Sequence, residues 1–168
     1  IEVNTPVCNS VHEAINEISI LRKYTRDLGE KLGFKIGISG THPTALPGDQ
    51  SFVVNKSYNW VSDQLHYYAA RNITFALHVH IALKDEAIAI RATNGLRKWI
   101  APLLALSTNS PFFESVKTGM RSSRSIQFGA FPRTHIPIYL KDFAHYQRII
   151  NDLIKSNAIE KPQQIWWK

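Results

Sequence analysis

Apolar residues recur with two different periods along the chain, and the switches between them divide it into elements. Ser10 and Glu13 have the spacing of a capping box. Ala14, Ile18, Leu21, Leu28 and Leu32 follow at helical spacing as far as Gly33, which predicts an amphipathic helix. Residues 34–40, with Ile36 and Ile38 between small or polar neighbours, predict a strand ending at Gly40. Two prolines between 41 and 48 exclude regular structure there, so Thr41, His42 and Pro43 fall on a loop at a strand end, where function often resides. Residues 57–71 return to the helical period through Val61, Leu65 and Tyr68, with Asn72 as terminator. From 74 to 83 the odd positions Phe75, Leu77, Val79, Ile81 and Leu83 are all large and apolar, which predicts a strand with one core face; the other face carries His78 and His80.

Asp85 is placed to cap a helix running through Ile88, Leu96, Trp99, Ile100, Leu103 and Leu104, which Pro102 should kink or restart. Asn109, Ser110 and Pro111 make 107–118 read as loop, and Phe143, Tyr146, Ile149, Ile150 and Leu153 predict a last helix over 142–155. Residues 1–5 read as a short strand with Glu2 opposite Ile1 and Val3. Without repeat, low-complexity tract or linker, the simplest architecture is one α+β unit. The chain opens on Ile1 and closes on Ile165, Trp166, Trp167 and Lys168, an apolar cluster that reads as the start of a buried element and suggests a piece of a longer polypeptide.

Composition narrows the class. The 168 residues are 44% hydrophobic and 20% charged, which excludes disorder, collagen and coiled coil, and no apolar run approaches the roughly 20 residues of a bilayer span. Cys8 has no second cysteine to pair with, and a quiet buried thiol is the expected state. The net charge of +7 implies anionic partners, whether nucleic acid, phosphorylated small molecules or acidic metabolites.

Two sets of side chains could carry chemistry. Period two puts His78 and His80 on one strand face about 7 Å apart, with the small Ala76 and Ala82 beside them. A hydrogen-bonded pair and a ligand or catalytic site are both open readings, whereas no HExxH or paired CxxC supports a zinc centre. Residues 115–141 contain no carboxylate but hold Lys117, Arg121, Arg124, Arg133 and Lys141 among small residues, the pattern of a flexible anion-seeking loop. Arginine forks suit phosphate and carboxylate, while Phe128 and Phe131 could stack on bases, although no nucleic-acid recognition motif accompanies them. Glu2 reads as an exposed charge or a hard-cation ligand.

Taken in order, Glu2-Val3-Asn4-Thr5-Pro6-Val7-Cys8, Ser39-Gly40-Thr41-His42-Pro43, His78-Val79-His80-Ile81, Leu96-Arg97, the run from Pro102 to Ser107, Asn109-Ser110-Pro111-Phe112, Thr118-Gly119, Ser123-Arg124, Phe131-Pro132-Arg133 and Trp166-Trp167 resemble the carboxylate-amine ligases of the glutamate-cysteine ligase type 2 group. The resemblance implies an antiparallel sheet covered by helices on one face, part of a glutamine-synthetase-like catalytic fold, with residues 1–168 forming the central part of a single catalytic domain. It implies ATP and magnesium as cofactors, glutamate and an amine such as cysteine as substrates, and a cytoplasmic enzyme without membrane or nucleic-acid partners, for which a homo-oligomer is compatible. It assigns Arg124 and Arg121 to catalysis, His78, His80 and Arg133 to the nucleotide, and Glu2 and His78 to the metal. The family's upstream Gly-Ile-Glu-x-Glu strand is not in this sequence, and Ala82 stands where a glycine is usual. The alternative is a non-catalytic anion- or nucleic-acid-binding module built on the basic segment around Arg121 and Arg124.

Overall fold

A computed structural model describes residues 2–51 and 56–167, and the chain divides into two compact units, 1–38 and 39–168. Ile1 and Lys168 lie outside the described residues. In the first unit, helix α1 spans Val11–Leu32. The Ser10 side chain accepts the Glu13 N–H, and the Glu13 carboxylate in turn accepts the Asn9 N–H at 2.7 Å, so two donors that the first turn leaves open are satisfied as the sequence predicts. Gly33 closes the helix in the left-handed region, φ 79°, with its N–H on the Gly29 carbonyl. Neither 2–5 nor 34–38 forms a strand, and Cys8 is half-buried rather than buried, its thiol donating to the Pro6 carbonyl at 3.3 Å.

The second unit is α+β. Helix α2, Lys56–Leu65, stops at His66, which adopts φ 47°, and one further turn, α3, spans Tyr67–Ala70, so the helix expected over 57–71 is broken once. Helix α4, Glu86–Leu96, is capped by the Asp85 carboxylate, which accepts the Ile88 N–H at 2.8 Å. A single 3-10 turn, Arg97–Trp99, separates it from α5, Ile100–Ser107, whose third residue is Pro102. The proline therefore restarts the helix within its first turn, where a missing N–H breaks no intrahelical bond. Helix α6 spans Ser123–Phe128, and α7, Phe143–Lys155, is capped by Asp142 through the His145 N–H.

The antiparallel sheet expected from the strands at 34–40 and 74–83 does not form there among the described residues. The sheet present is a two-stranded hairpin, β1 Phe112–Phe113 with β2 Val116–Lys117, inside a segment that the breakers made read as loop. Its two-residue turn places Glu114 and Ser115 at φ 50° and 64°, the geometry of a type I′ hairpin without the usual Asn-Gly, so no turn signal announced it. Residues 74–83 form no strand, and only Thr74 makes a bridge, antiparallel with Thr41. Leu77, Val79 and Ile81 are 69%, 77% and 75% exposed. Alternation identifies a face that requires covering; it cannot supply the neighbouring backbone that turns an extended run into a sheet.

The buried apolar residues include Ile90, Phe113, Phe131, Leu140, Ile150 and Ile159, and α4, which carries Ile90, packs on α7, which carries Ile150. Leu140, 1% exposed, is held as though by a strand: Asn94 on α4 accepts its N–H at 3.0 Å and donates to its carbonyl at 2.8 Å. Trp166 and Trp167, expected to begin a buried element, are half-buried and lie in neither helix nor strand. The Trp166 ring meets Trp60 of α2 at 5.8 Å and Phe131 at 5.2 Å, and Trp167 meets Tyr146 of α7 at 6.3 Å. Replacing Asn94 by alanine strands both polar groups of Leu140, and a loss of about 2–4 kcal/mol is expected in urea unfolding. A loss no larger than that of an exposed helix substitution contradicts the clamp.

Candidate active site

Three of the short polar segments singled out in the second unit meet around one small buried side chain. Ser110, 1% exposed, donates its N–H to the Arg121 carbonyl at 3.1 Å and accepts the Ser123 N–H on its own carbonyl at 3.0 Å. Its hydroxyl oxygen accepts the Arg124 N–H at 3.1 Å. The 121–124 turn is thereby stitched to the Asn-Ser-Pro segment three times. One residue earlier, the Asn109 carbonyl accepts the Gly40 N–H at 2.8 Å and the Ser39 hydroxyl at 3.1 Å, bringing in the Ser-Gly-Thr-His-Pro segment. Thr41 is wholly buried and donates to the Phe112 carbonyl at 2.8 Å. A Cβ on Gly40 would stand 3.1 Å from the Ser110 hydroxyl oxygen and 3.3 Å from the Arg124 Cβ, so a side chain there would press these segments a few tenths of an ångström apart.

Arg124 is engaged on two sides. Its Nε donates to the Phe75 carbonyl at 2.9 Å, and its guanidinium lies over the Phe128 ring at 5.2 Å. Burial pulls its pKa below the ordinary value, yet an arginine keeps its charge at any working pH, so the desolvation is expressed as a demand for acceptors. Through Phe75, Arg124 anchors the start of the run that carries His78 and His80. Those two rings lie 6.2 Å apart, edge to face, so the imidazoles share one side of the run even without a sheet.

Arg121 is exposed and, with Lys117, Asn109 and Gly119, lines an open cleft of about 430 Å³. The carboxylate nearest this segment in sequence, Glu114, is neutralised by Arg71, whose guanidinium also takes the Tyr67 hydroxyl at 3.0 Å. Arg133 stands apart from this cluster in its hydrogen bonding. It adopts φ 62°, its Nε donates to the Gln164 carbonyl at 3.3 Å, and its Nη2 is buried with no hydrogen-bond partner among the described residues. Burial lowers its pKa as well. Glu2 is exposed in the first unit. The segment 115–141 is thus not a flexible loop: it contains β2, α6 and the buried residues Ser123, Phe131 and Thr134.

The sequence reading missed the hub. Ser110, Thr41 and Ser123 lack charge and periodicity, and beside Pro111 and Asn109 they read as loop breakers. The only available signal was that several short polar motifs stood close in order. Introducing a Cβ at this close approach, Gly40→Ala, should cost about 1–3 kcal/mol by overpacking and should displace the Arg124 side chain, read as a change in Phe128 ring resonances; an unchanged spectrum and midpoint contradict this packing.

Comparison with known proteins agrees with the resemblance. The sequence pattern of Glutamate-cysteine ligase family 2 matches residues 1–168. Proteins named "Putative glutamate--cysteine ligase 2" from Solibacter usitatus, Herpetosiphon aurantiacus and Sorangium cellulosum are 36%, 38% and 35% identical over 167 residues, 99% of this chain. The chain covers 43%, 43% and 44% of their lengths, less than half of the curated relatives it matches. The chain belongs to the glutamate-cysteine ligase family 2.

Proposed function

We propose that the protein is an ATP-dependent carboxylate-amine ligase joining the γ-carboxylate of glutamate to the amine of cysteine, with residues 1–168 as the central part of one cytoplasmic catalytic domain. The observation that carries the reading is the cleft lined by Lys117 and Arg121 on a segment free of carboxylates, tied through Ser110 to Arg124 and the histidine run. In this reaction a carboxylate oxygen attacks the γ-phosphorus of ATP and the bond to ADP breaks. The amine then attacks the acyl carbon of the resulting acyl phosphate, and inorganic phosphate leaves as the nitrogen loses a proton. Both steps gather negative charge on phosphoryl oxygens, which fixed cations stabilise.

Arg121 is assigned to the transferring group and Arg124 to holding the histidine run while presenting charge to substrate. Arg133, whose guanidinium keeps unused donors, is assigned with His78 and His80 to the nucleotide. Magnesium fits this chain's own residues poorly. It takes about six oxygen ligands; Glu2 offers a suitable carboxylate, His78 offers nitrogen, and no three metal-ligating side chains group among the described residues. The exposed apolar face of 74–83 supports the finer fold reading, a glutamine-synthetase-like antiparallel sheet, with partner strands drawn from the remaining length of a protein the size of its relatives.

The test is ADP release by the intact protein with ATP, magnesium and glutamate, with and without cysteine. Release dependent on both substrates is expected, and Arg121→Ala should lower kcat/KM by about 10²–10³-fold, the loss typical of removing one charge-stabilising donor. Absence of substrate-dependent release, with affinity for oligonucleotides that collapses as salt rises, overturns the reading in favour of a nucleic-acid module.

A further inference from the structure

The Thr-His-Pro loop is braced by hydrogen bonds to two other segments, and the side chain it presents is His42. The loop is held from three directions: Thr41 is buried with its hydroxyl on the Phe112 carbonyl, Ser115 donates its N–H to the Pro43 carbonyl at 2.9 Å, and the Gly40 carbonyl accepts the Phe75 N–H at 3.0 Å. The second brace comes from the hairpin tip at which Glu114 and Ser115 both occupy the left-handed region, a conformation that costs energy in residues with a Cβ and is retained where it serves a purpose.

His42 itself is bound on one nitrogen only. Its Nδ1 accepts the backbone N–H of Ala45 at 2.9 Å and of Thr44 at 3.3 Å. Two donors on Nδ1 place the ring proton on Nε2 and fix the plane of the imidazole. Nε2 has no hydrogen-bond partner among the described residues, and the side chain is exposed. The result is a single N–H donor, oriented by the backbone before any ligand arrives, on a loop linked to Arg124 through Phe75, which donates its N–H to the Gly40 carbonyl and accepts the Arg124 Nε–H. Preorganised donors of this kind are worth most against anionic oxygen.

We propose that His42 is a binding residue of this site, donating from Nε2 to an anionic oxygen, carboxylate or phosphate, of the bound substrate. The proposal deepens the ligase reading and rests on it for the identity of the substrate, but the donor geometry stands independently. Asparagine and glutamine separate the two edges of the ring: His42→Asn keeps an acceptor for the Thr44 and Ala45 N–H groups and removes the outward donor, whereas His42→Gln keeps an outward N–H and weakens the loop bonds.

His42→Asn in the intact protein should retain the wild-type melting temperature and lose about 10–100-fold in kcat/KM, the range of one hydrogen bond to a charged group. His42→Gln should melt lower and recover part of that loss. In the wild type, imidazole nitrogen NMR should show a bare Nδ1 and a protonated Nε2. The Nε2 signal should move on addition of glutamate if the partner is carboxylate, or of inorganic phosphate if it is phosphoryl. Wild-type turnover in His42→Asn, the opposite tautomer, or a signal unmoved by both anions overturns the proposal. A protein that releases no ADP yet shows the Nε2 shift keeps the donor site and discards the ligase reading.

Discussion

The second unit depends on a buried serine rather than on a hydrophobic strand. Ser110 makes three hydrogen bonds to a turn whose residues would otherwise diverge from it, and it does so at 1% exposure, where each unmade bond would carry its full desolvation cost. Small size matters as much as polarity. With Gly40 against its side chain and Thr41 buried next to it, three chain segments approach closely enough for their backbones to bond directly. Arg121 and Arg124 are then carried on the rim of a polar knot. Arg124 takes its backbone position from Ser110 and its side-chain position from Phe75 and Phe128, so placing the charge requires no further packing.

Helices were legible because their signals are local. Ser10, Asp85 and Asp142 each cap the helix they precede, Gly33 ends α1, and the spacing of Phe143, Tyr146 and Ile150 describes a face that packs within its own unit. The hairpin was illegible for the corresponding reason: Glu114 and Ser115 have no preference for positive φ and take it because Arg71 and the Pro43 carbonyl hold them there. A turn imposed by tertiary contacts leaves no mark in its own residues. The same holds for α6, whose six residues gain their place from Ser110 and from stacking of Phe128 on Phe131 at 5.3 Å.

At the site, residue types were readable and their relations were not. Period two correctly put the two histidines on one side, since that follows from any extended backbone, but not the lack of a paired neighbour. Net charge and the missing carboxylates marked 115–141 as cationic without separating three different arginines. Arg121 faces solvent in a cleft, Arg124 is stacked and bonded, and Arg133 keeps a buried nitrogen without a partner among the described residues. Which of these a guanidinium becomes depends on the acceptors the fold brings to it, and those are mostly backbone carbonyls, Phe75 and Gln164, that any residue would have supplied.

That dependence also explains why the apolar run 74–83 can coexist with a well-knit unit. Its first two residues are fastened, Thr74 by its bridge to Thr41 and Phe75 by Gly40 and Arg124, while the positions beyond them stay exposed. A run fixed at one end and uncovered along its length has its direction set before any partner strand adds to it, so the entropy of orienting it is already spent by the polar knot. The histidines three and five residues past Phe75 inherit that direction. In such an arrangement, loosening the Ser110 knot would disturb the histidine pair without touching it, because the hydrogen bonds that aim the run are made at its first two residues.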